Sequence, residues 1–223
     1  MKITQKPLKI NFTKGRTHKP IAIVIHLMDG TTAGTEAWFN NPKSQASTHY
    51  GVSKNGDIVQ WVAEEDTAWA NGRIDKPTWK LINTRVSPNN YTISIEHEGR
   101  SGHVWTDAQY EADAFLVQKI CDKWGIPVDA DHVILHSEIF AKKPNCAGKG
   151  FSKDRLLSML TPQIKKNTLV KGDKSPSVYW VDNNSIRHAI KSWEYYLEYF
   201  GGGITTYAQK QIDALKEGKA FKT

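Results

Sequence analysis

The chain has 223 residues, of which 39% are hydrophobic and 24% charged, with a formal net charge of +7. That balance belongs to a globular protein able to bury a sizeable core, and it excludes wholesale disorder. No apolar stretch approaches the roughly 20 residues that cross a bilayer, so no membrane insertion is expected.

The first residues, Met1 to Pro7, are basic but lack an apolar core, so synthesis in the cytoplasm without a secretory signal is expected. The positive charge favours polyanions in general, including anionic wall polymers. Neither zinc-finger spacing nor a long Lys/Arg block is present, so nucleic acid is not an expected partner. Most of the basic residues are scattered, as on a solvated surface, and a monomer is expected.

Ile21 to His26 reads as a β-branched strand buried on both faces. Thr48 to Ser53 and Ile58 to Val62 flank Asn55-Gly56, the strongest short-range signal for a hairpin turn. Tyr91 to Glu98 alternates with period two, which puts Ser94, Glu96 and Glu98 on one face and His97 on the other. Thr106 and Gln109 form a capping box, and Tyr110, Ala114, Val117, Cys121 and Trp124 recur at helical spacing before Gly125 stops the helix. Val133 to His136 is a further strand and Lys153 to Leu160 a further helix. This interleaved order predicts an α/β (mixed α+β) domain with a central mixed sheet flanked by helices.

The expected catalytic domain covers residues 1–166, and residues 167–176 change composition and read as a linker. Residues 177–223 then form a small α+β module with a strand at Val178 to Val181 and its hairpin return at Ser185 to His188. A helix at Trp193 to Leu197 and a final helix at Tyr207 to Glu217 complete it. Its aromatic density fits either wall-polymer contacts or the core of a small module, the latter for most of the rings.

Two cysteines are present. Cys121 falls on an apolar helical stripe and is expected to be an inert core thiol. His26 and His136 each close an apolar run, and Cys146 follows in Lys143-Pro144-Asn145-Cys146-Ala147-Gly148. Two imidazoles and one thiolate make a three-ligand set for one zinc ion, with a fourth position free for water as in a catalytic site. Taken singly, each of these residues has an ordinary structural account.

Six segments appear together in order: Ile23 to His26, Ala46 to Tyr50, Asn55 to Val62 with Ala68 to Gly72, Ile93 to Gly99, Thr106 to Tyr110, and His136 to Ile139 followed by Cys146 to Gly148. This set resembles the type-2 family of zinc-dependent N-acetylmuramoyl-L-alanine amidases, which also contains amidase-type phage lysozymes and peptidoglycan recognition proteins. The resemblance covers roughly residues 20–160. It implies His26, His136 and Cys146 as zinc ligands, Glu96 as the catalytic carboxylate, and cleavage of the amide between N-acetylmuramic acid and L-alanine of peptidoglycan. It also sets Trp69, His49 and Asn71 against the substrate; a core tryptophan and a structural His49 are the competing accounts.

The chain departs from the family pattern two residues before Cys146, where Pro144 stands in place of the usual lysine. Lys143 is assigned as the oxyanion-stabilising cation in its stead, with Lys142 or His49 as alternatives. A phage or prophage endolysin is the role this layout favours. The alternatives are a cytosolic wall-recycling amidase and a peptidoglycan recognition protein that binds without cutting; Cys146 argues for an enzyme.

Overall fold

Ala22, Ile23, Val24 and Ile25 are apolar at successive positions, and a strand of that kind needs cover on both faces. The computed structural model describes residues 1–160 and 164–221 and provides that cover. The chain divides into two units, Met1–Thr161 and Pro162–Thr223.

In the first unit, in chain order, are β1 (Ile3–Gln5), β2 (Phe12–Thr13), β3 (Ala22–Leu27), α1 (Thr32–Phe39), β4 (Tyr50–Val52), β5 (Ile58–Gln60) and β6 (Thr67–Ala68). They are followed by β7 (Thr92–His97), α2 (Asp107–Trp124), β8 (Val133–Leu135) and α3 (Lys153–Leu160). Six strands form one sheet in the order β1-β5-β4-β7-β3-β8. Only β4 and β5 pair antiparallel, as the Asn55-Gly56 hairpin requires; the other pairs are parallel. Gly56 takes φ +83°, the left-handed conformation the turn needs.

Side-chain alternation divides the central strands between two layers. Ile23, Ile25, Ile93 and Ile95 pack with Leu116, Val117, Ile120 and Cys121 of α2 and with Leu156 of α3. Ala22 and Val24 face the other way, onto Trp79, Tyr91, Ile134 and Ile139. Helix α2 has the cap its sequence encodes: Gln109 N–H donates to Thr106 Oγ1, and Thr106 N–H donates to Gln109 Oε1. Gly125 closes it at φ +66°. Cys121 is a buried free thiol, pushed up to about 12 chiefly by burial. The mixed sheet with flanking helices and the burial of Cys121 in the core thus match the sequence-based expectation.

The second unit contains β9 (Thr168–Gly172), β10 (Val178–Val181), β11 (Ile186–Ala189), α4 (Trp193–Tyr199), β12 (Ile204–Tyr207), α5 (Gln209–Asp213) and β13 (Lys216–Glu217). Its five strands run in the order β12-β9-β10-β11-β13 around Val170, Val181, Tyr207 and Ile212. Two expectations are corrected here. The predicted linker at residues 167–176 contains β9, which pairs with β10 on one side and β12 on the other. Leu169 and Val170 bury there, so an apolar pair between polar residues is enough to form a strand once its neighbours pair with it. The predicted helix from Tyr207 to Glu217 shrinks to Gln209–Asp213, because Tyr207 pairs with Gly172 and Lys216–Glu217 pairs with β11. Ladder pairing and burial of Tyr207 outweigh local helix propensity.

Gly51 lies in the middle of β4, where an added Cβ would fall on the Trp61 ring and within 3.0 Å of Met28 Cε. Gly51→Ala is expected to destabilise the protein by about 1–3 kcal/mol through overpacking, read as a lower denaturant midpoint with an unchanged slope. An unchanged midpoint would show that Trp61 can move aside at no cost.

Candidate active site

The parallel register of β3 and β7 sets His26 directly beside Glu96. Both belong to the face turned away from α2, and both lie at the carboxyl ends of their strands. Strand β8 pairs on the other side of β3 and ends at Leu135, so His136 opens a short 3-10 turn, His136–Glu138, at the same end of the sheet. That turn is tied down by the Glu138 carboxylate, which accepts from Leu135 N–H at 2.7 Å and from Lys153 Nζ at 2.6 Å.

Cys146 arrives from a loop rather than from the sheet. Its N–H donates to Lys143 O, and the next two residues adopt φ +114° (Ala147) and φ +92° (Gly148). Positive φ is unfavourable for alanine. Ala147 is buried, and its carbonyl accepts from Trp105 Nε1 at 3.0 Å, which holds the loop in place.

One ligand atom from each of His26, His136 and Cys146 lies within 4.8 Å of the other two. The Cys146 Sγ to His26 Nδ1 separation is 3.9 Å, and the two imidazole centroids are 4.5 Å apart. Tetrahedral zinc spaces its donors by roughly 3.3–3.8 Å, so a rotamer-scale movement closes the set. The electrostatics fit a cation equally well. Burial holds His26 well below its ordinary pKa and lowers His136 too, so both are neutral, the form that ligates. Burial and, next, the Glu96 charge push the Cys146 thiol up to about 12. Burial pushes Glu96 up to about 8 against the pull of Lys143, and its Oε2 is buried without a hydrogen-bond partner. Two neutral imidazoles beside two acids that ionise once positive charge is near form a donor set that suits a dication.

Lys143 is exposed, and its charge acts on His26, Glu96, His136 and Cys146 together. With Leu27, Asp29, Ser101, Lys142 and Cys146 it lines a recess of about 220 Å³. Trp69 is half-buried, and its Nε1 donates to Thr13 Oγ1 at 3.0 Å, so part of its ring remains available for contact.

The other two residues expected at the substrate are corrected. His49 is only 1% exposed; its Nδ1 accepts from Ser94 N–H, and its Nε2 meets Asp66 O and the Arg16 guanidinium. Asn71 is fully buried and donates from Nδ2 to Thr92 Oγ1 at 2.9 Å. Neither presents a surface to a ligand, because backbone groups and neighbouring side chains already enclose them.

Sequence reasoning missed the supports behind the site. Arg16 reaches the carbonyls of Glu64, Asn89, Asn90 and Thr92 and so pins the start of β7. On the α2 face, His97 donates from Nδ1 to the His26 carbonyl at 3.0 Å and lies 3.0 Å from Asp113 Oδ1, with both side chains closed to solvent. A helical aspartate on an apolar stripe was the available signal for that pair.

Residues 16–149 match the family described as N-acetylmuramoyl-L-alanine amidase, and the chain belongs to that family. It is 36% identical over 108 residues to N-acetylmuramoyl-L-alanine amidase A of Achromobacter lyticus, covering 47% of this chain and 53% of that one. To the 1,6-anhydro-N-acetylmuramyl-L-alanine amidase AmpD of Enterobacter cloacae it is 30% identical over 115 residues, 52% of this chain and 57% of that one. The chain thus spans about half the length of the curated relatives it matches. Among solved structures, a selenomethionine derivative of AmpD superposes with a TM-score of 0.60 at 22% identity, covering 71% of this chain and 94% of that one. PlyL gives a TM-score of 0.56 at 19% identity, covering 74% of this chain and 100% of that one. These two likenesses concern the fold.

The Glu96 shift yields a prediction for metal-free protein. A carboxyl raised from 4.5 to about 8 favours folding below its ordinary value, and that contribution disappears as pH rises through the folded value. In chelator, Glu96→Gln is therefore expected to gain stability relative to wild type between pH 5.5 and 8.5, measured by urea unfolding. Parallel stability curves over that range would refute the shift.

Proposed function

We propose that this chain hydrolyses the amide between N-acetylmuramic acid and L-alanine of peptidoglycan, with His26, His136 and Cys146 holding one zinc ion. The observation that carries the reading is the convergence of two neutral imidazoles and a thiol beside a buried, unpartnered carboxylate oxygen. Zinc, when bound, lowers the pKa of a bound water toward about 7, polarises the scissile carbonyl and draws down the raised pKa values of Cys146 and Glu96. Glu96, in its ionised form, accepts the proton of the attacking water and returns it to the leaving amine of L-alanine. Lys143 supplies positive charge to the oxyanion from the rim of the recess. Trp69 offers part of its ring to sugar or peptide.

Support for this substrate class comes from the family match and from a fold neighbour, the amidase AmiD of E. coli, solved with anhydro-N-acetylmuramic acid-L-Ala-D-gamma-Glu-L-Lys (TM-score 0.54, 23% identity, 64% of this chain and 58% of that one). The physiological setting we favour is a phage or prophage endolysin, in which residues 1–161 cut and the second unit contacts the wall; the two-unit layout and the basic charge motivate it. The relatives named as 1,6-anhydro-amidases favour a second setting, wall recycling on soluble fragments.

Incubation with a defined muropeptide, analysed by mass spectrometry with and without chelator, tests the reaction. The expected products carry a free L-alanine amino terminus and vanish with chelator. Glu96→Gln is expected to lower kcat by about 10²–10⁴-fold while keeping its zinc, whereas Cys146→Ser loses the metal. New reducing ends would mean a glycosidase instead. Faster release from intact sacculi than from soluble anhydro-muropeptides supports the endolysin setting, and the reverse supports recycling.

A further inference from the structure

Asn71 is buried completely, yet its Oδ1 has no hydrogen-bond partner, and neither does the buried Nε2 of His26. The two groups border the same ring: the His26 and His136 imidazole centroids are 4.5 Å apart, and His136 packs against Asn71. The second imidazole meets the same residue, since His136 Nε2 lies 3.0 Å from the Asn71 backbone carbonyl. A carbonyl oxygen only accepts, so His136 carries its proton on Nε2 and leaves Nδ1 bare.

The orientation of the Asn71 carboxamide is determined by a chain of donors and acceptors. The Thr92 hydroxyl donates to Pro88 O at 2.8 Å, so towards Asn71 its oxygen accepts. The group 2.9 Å from it is therefore the amide nitrogen, and Oδ1 points the other way. Asn71 N–H is held in turn by Asn89 Oδ1 at 2.8 Å. Pairing the two orphaned atoms would put the His26 proton on Nε2 as well, and leave Nδ1, the atom 3.9 Å from Cys146 Sγ, free to ligate.

We infer that Asn71 is a positioning residue that sets the tautomer of both metal-site histidines, one through its backbone carbonyl and the other through its side chain. It touches no substrate; it acts through His26 and His136. A partner on the far nitrogen fixes ring orientation and raises ligand basicity, and its loss ordinarily weakens metal affinity 10–100-fold. The inference rests on the zinc reading above for its consequence, but not for its first observable.

That observable is the imidazole tautomer in metal-free protein, read by two-bond ¹⁵N–¹H correlation on histidine-labelled samples at pH 7.5. Wild type is expected to show Nε2–H for both His26 and His136. In Asn71→Ala the backbone carbonyl remains, so His136 stays Nε2–H while His26 becomes a mixture of tautomers. Zinc affinity, measured by competition with a fluorescent chelator, falls 10–100-fold. Asn71→Asp keeps an acceptor and restores the His26 tautomer. Should Asn71→Ala fail to fold, Thr92→Val removes the acceptor that orients the carboxamide and is expected to redistribute the His26 tautomer by itself. An Nδ1–H His26 in wild type, or an Asn71→Ala variant with unchanged His26 tautomer and zinc affinity within about twofold, overturns the proposal. Loss of the amidase reading alone would leave the tautomer result standing, so the two failures are distinguishable.

Discussion

Parallel pairing of β3 with β7 brings an imidazole and a carboxyl side by side at the end of the sheet, in a corner largely withdrawn from water. β8 adds a second imidazole there and the loop after it adds a thiol. For all four groups burial is the largest influence on ionisation, and it pushes each towards its uncharged form. The corner therefore combines neutral nitrogen donors with two acids that ionise only when positive charge is near. Lys143 supplies part of that charge from the rim, and in the proposed reading a dication held by His26, His136 and Cys146 would supply the rest.

Such a corner is stable only if the backbone beneath it cannot relax. On the α2 face, the Asp113–His97 pair grips the His26 carbonyl, and Trp105 grips the carbonyl next to Cys146. The Trp105 and His97 rings also pack together, tilted by 33° with centroids 3.9 Å apart, so the two grips share one packed cluster. On the opposite face Asn71, Thr92 and Arg16 hold the start of β7 and the far side of the His136 imidazole. The ligand-bearing ends are thus fastened from both sides of the sheet, mostly by buried groups, with Arg16 partly exposed.

The second unit is a separate five-stranded sheet with its own small core. Trp193, Leu197 and Tyr199 of α4 stay exposed, while Tyr196, Tyr207 and the interior strand residues fill the core. Its aromatic content therefore divides between packing and surface, where the sequence alone favoured packing for most of the rings.

Much of the first unit was legible in the order of residues. Continuous apolar runs, the Asn55-Gly56 turn and the Thr106/Gln109 capping box are local signals, and local hydrogen bonding is what forms those elements. The candidate metal set was legible only as a trio, because the ordered motifs around it carried a family resemblance. Between Asn167 and Pro176 a short apolar pair was outweighed by its polar neighbours, and β9 appears only because β10 and β12 pair with it.

What the chain determined by itself was the central strands and the long helix of the first unit, and the chemical kind of the candidate site. Tertiary structure decided which polar residues meet the outside and which support from within. His49 and Asn71 sit in motif segments just as Trp69 does, yet their partners come from β7 and from residues 66 and 89. Hydrogen bonds between segments so distant in sequence leave no periodic trace, so only the folded arrangement separates a ring available for contact from an amide that orients a ligand.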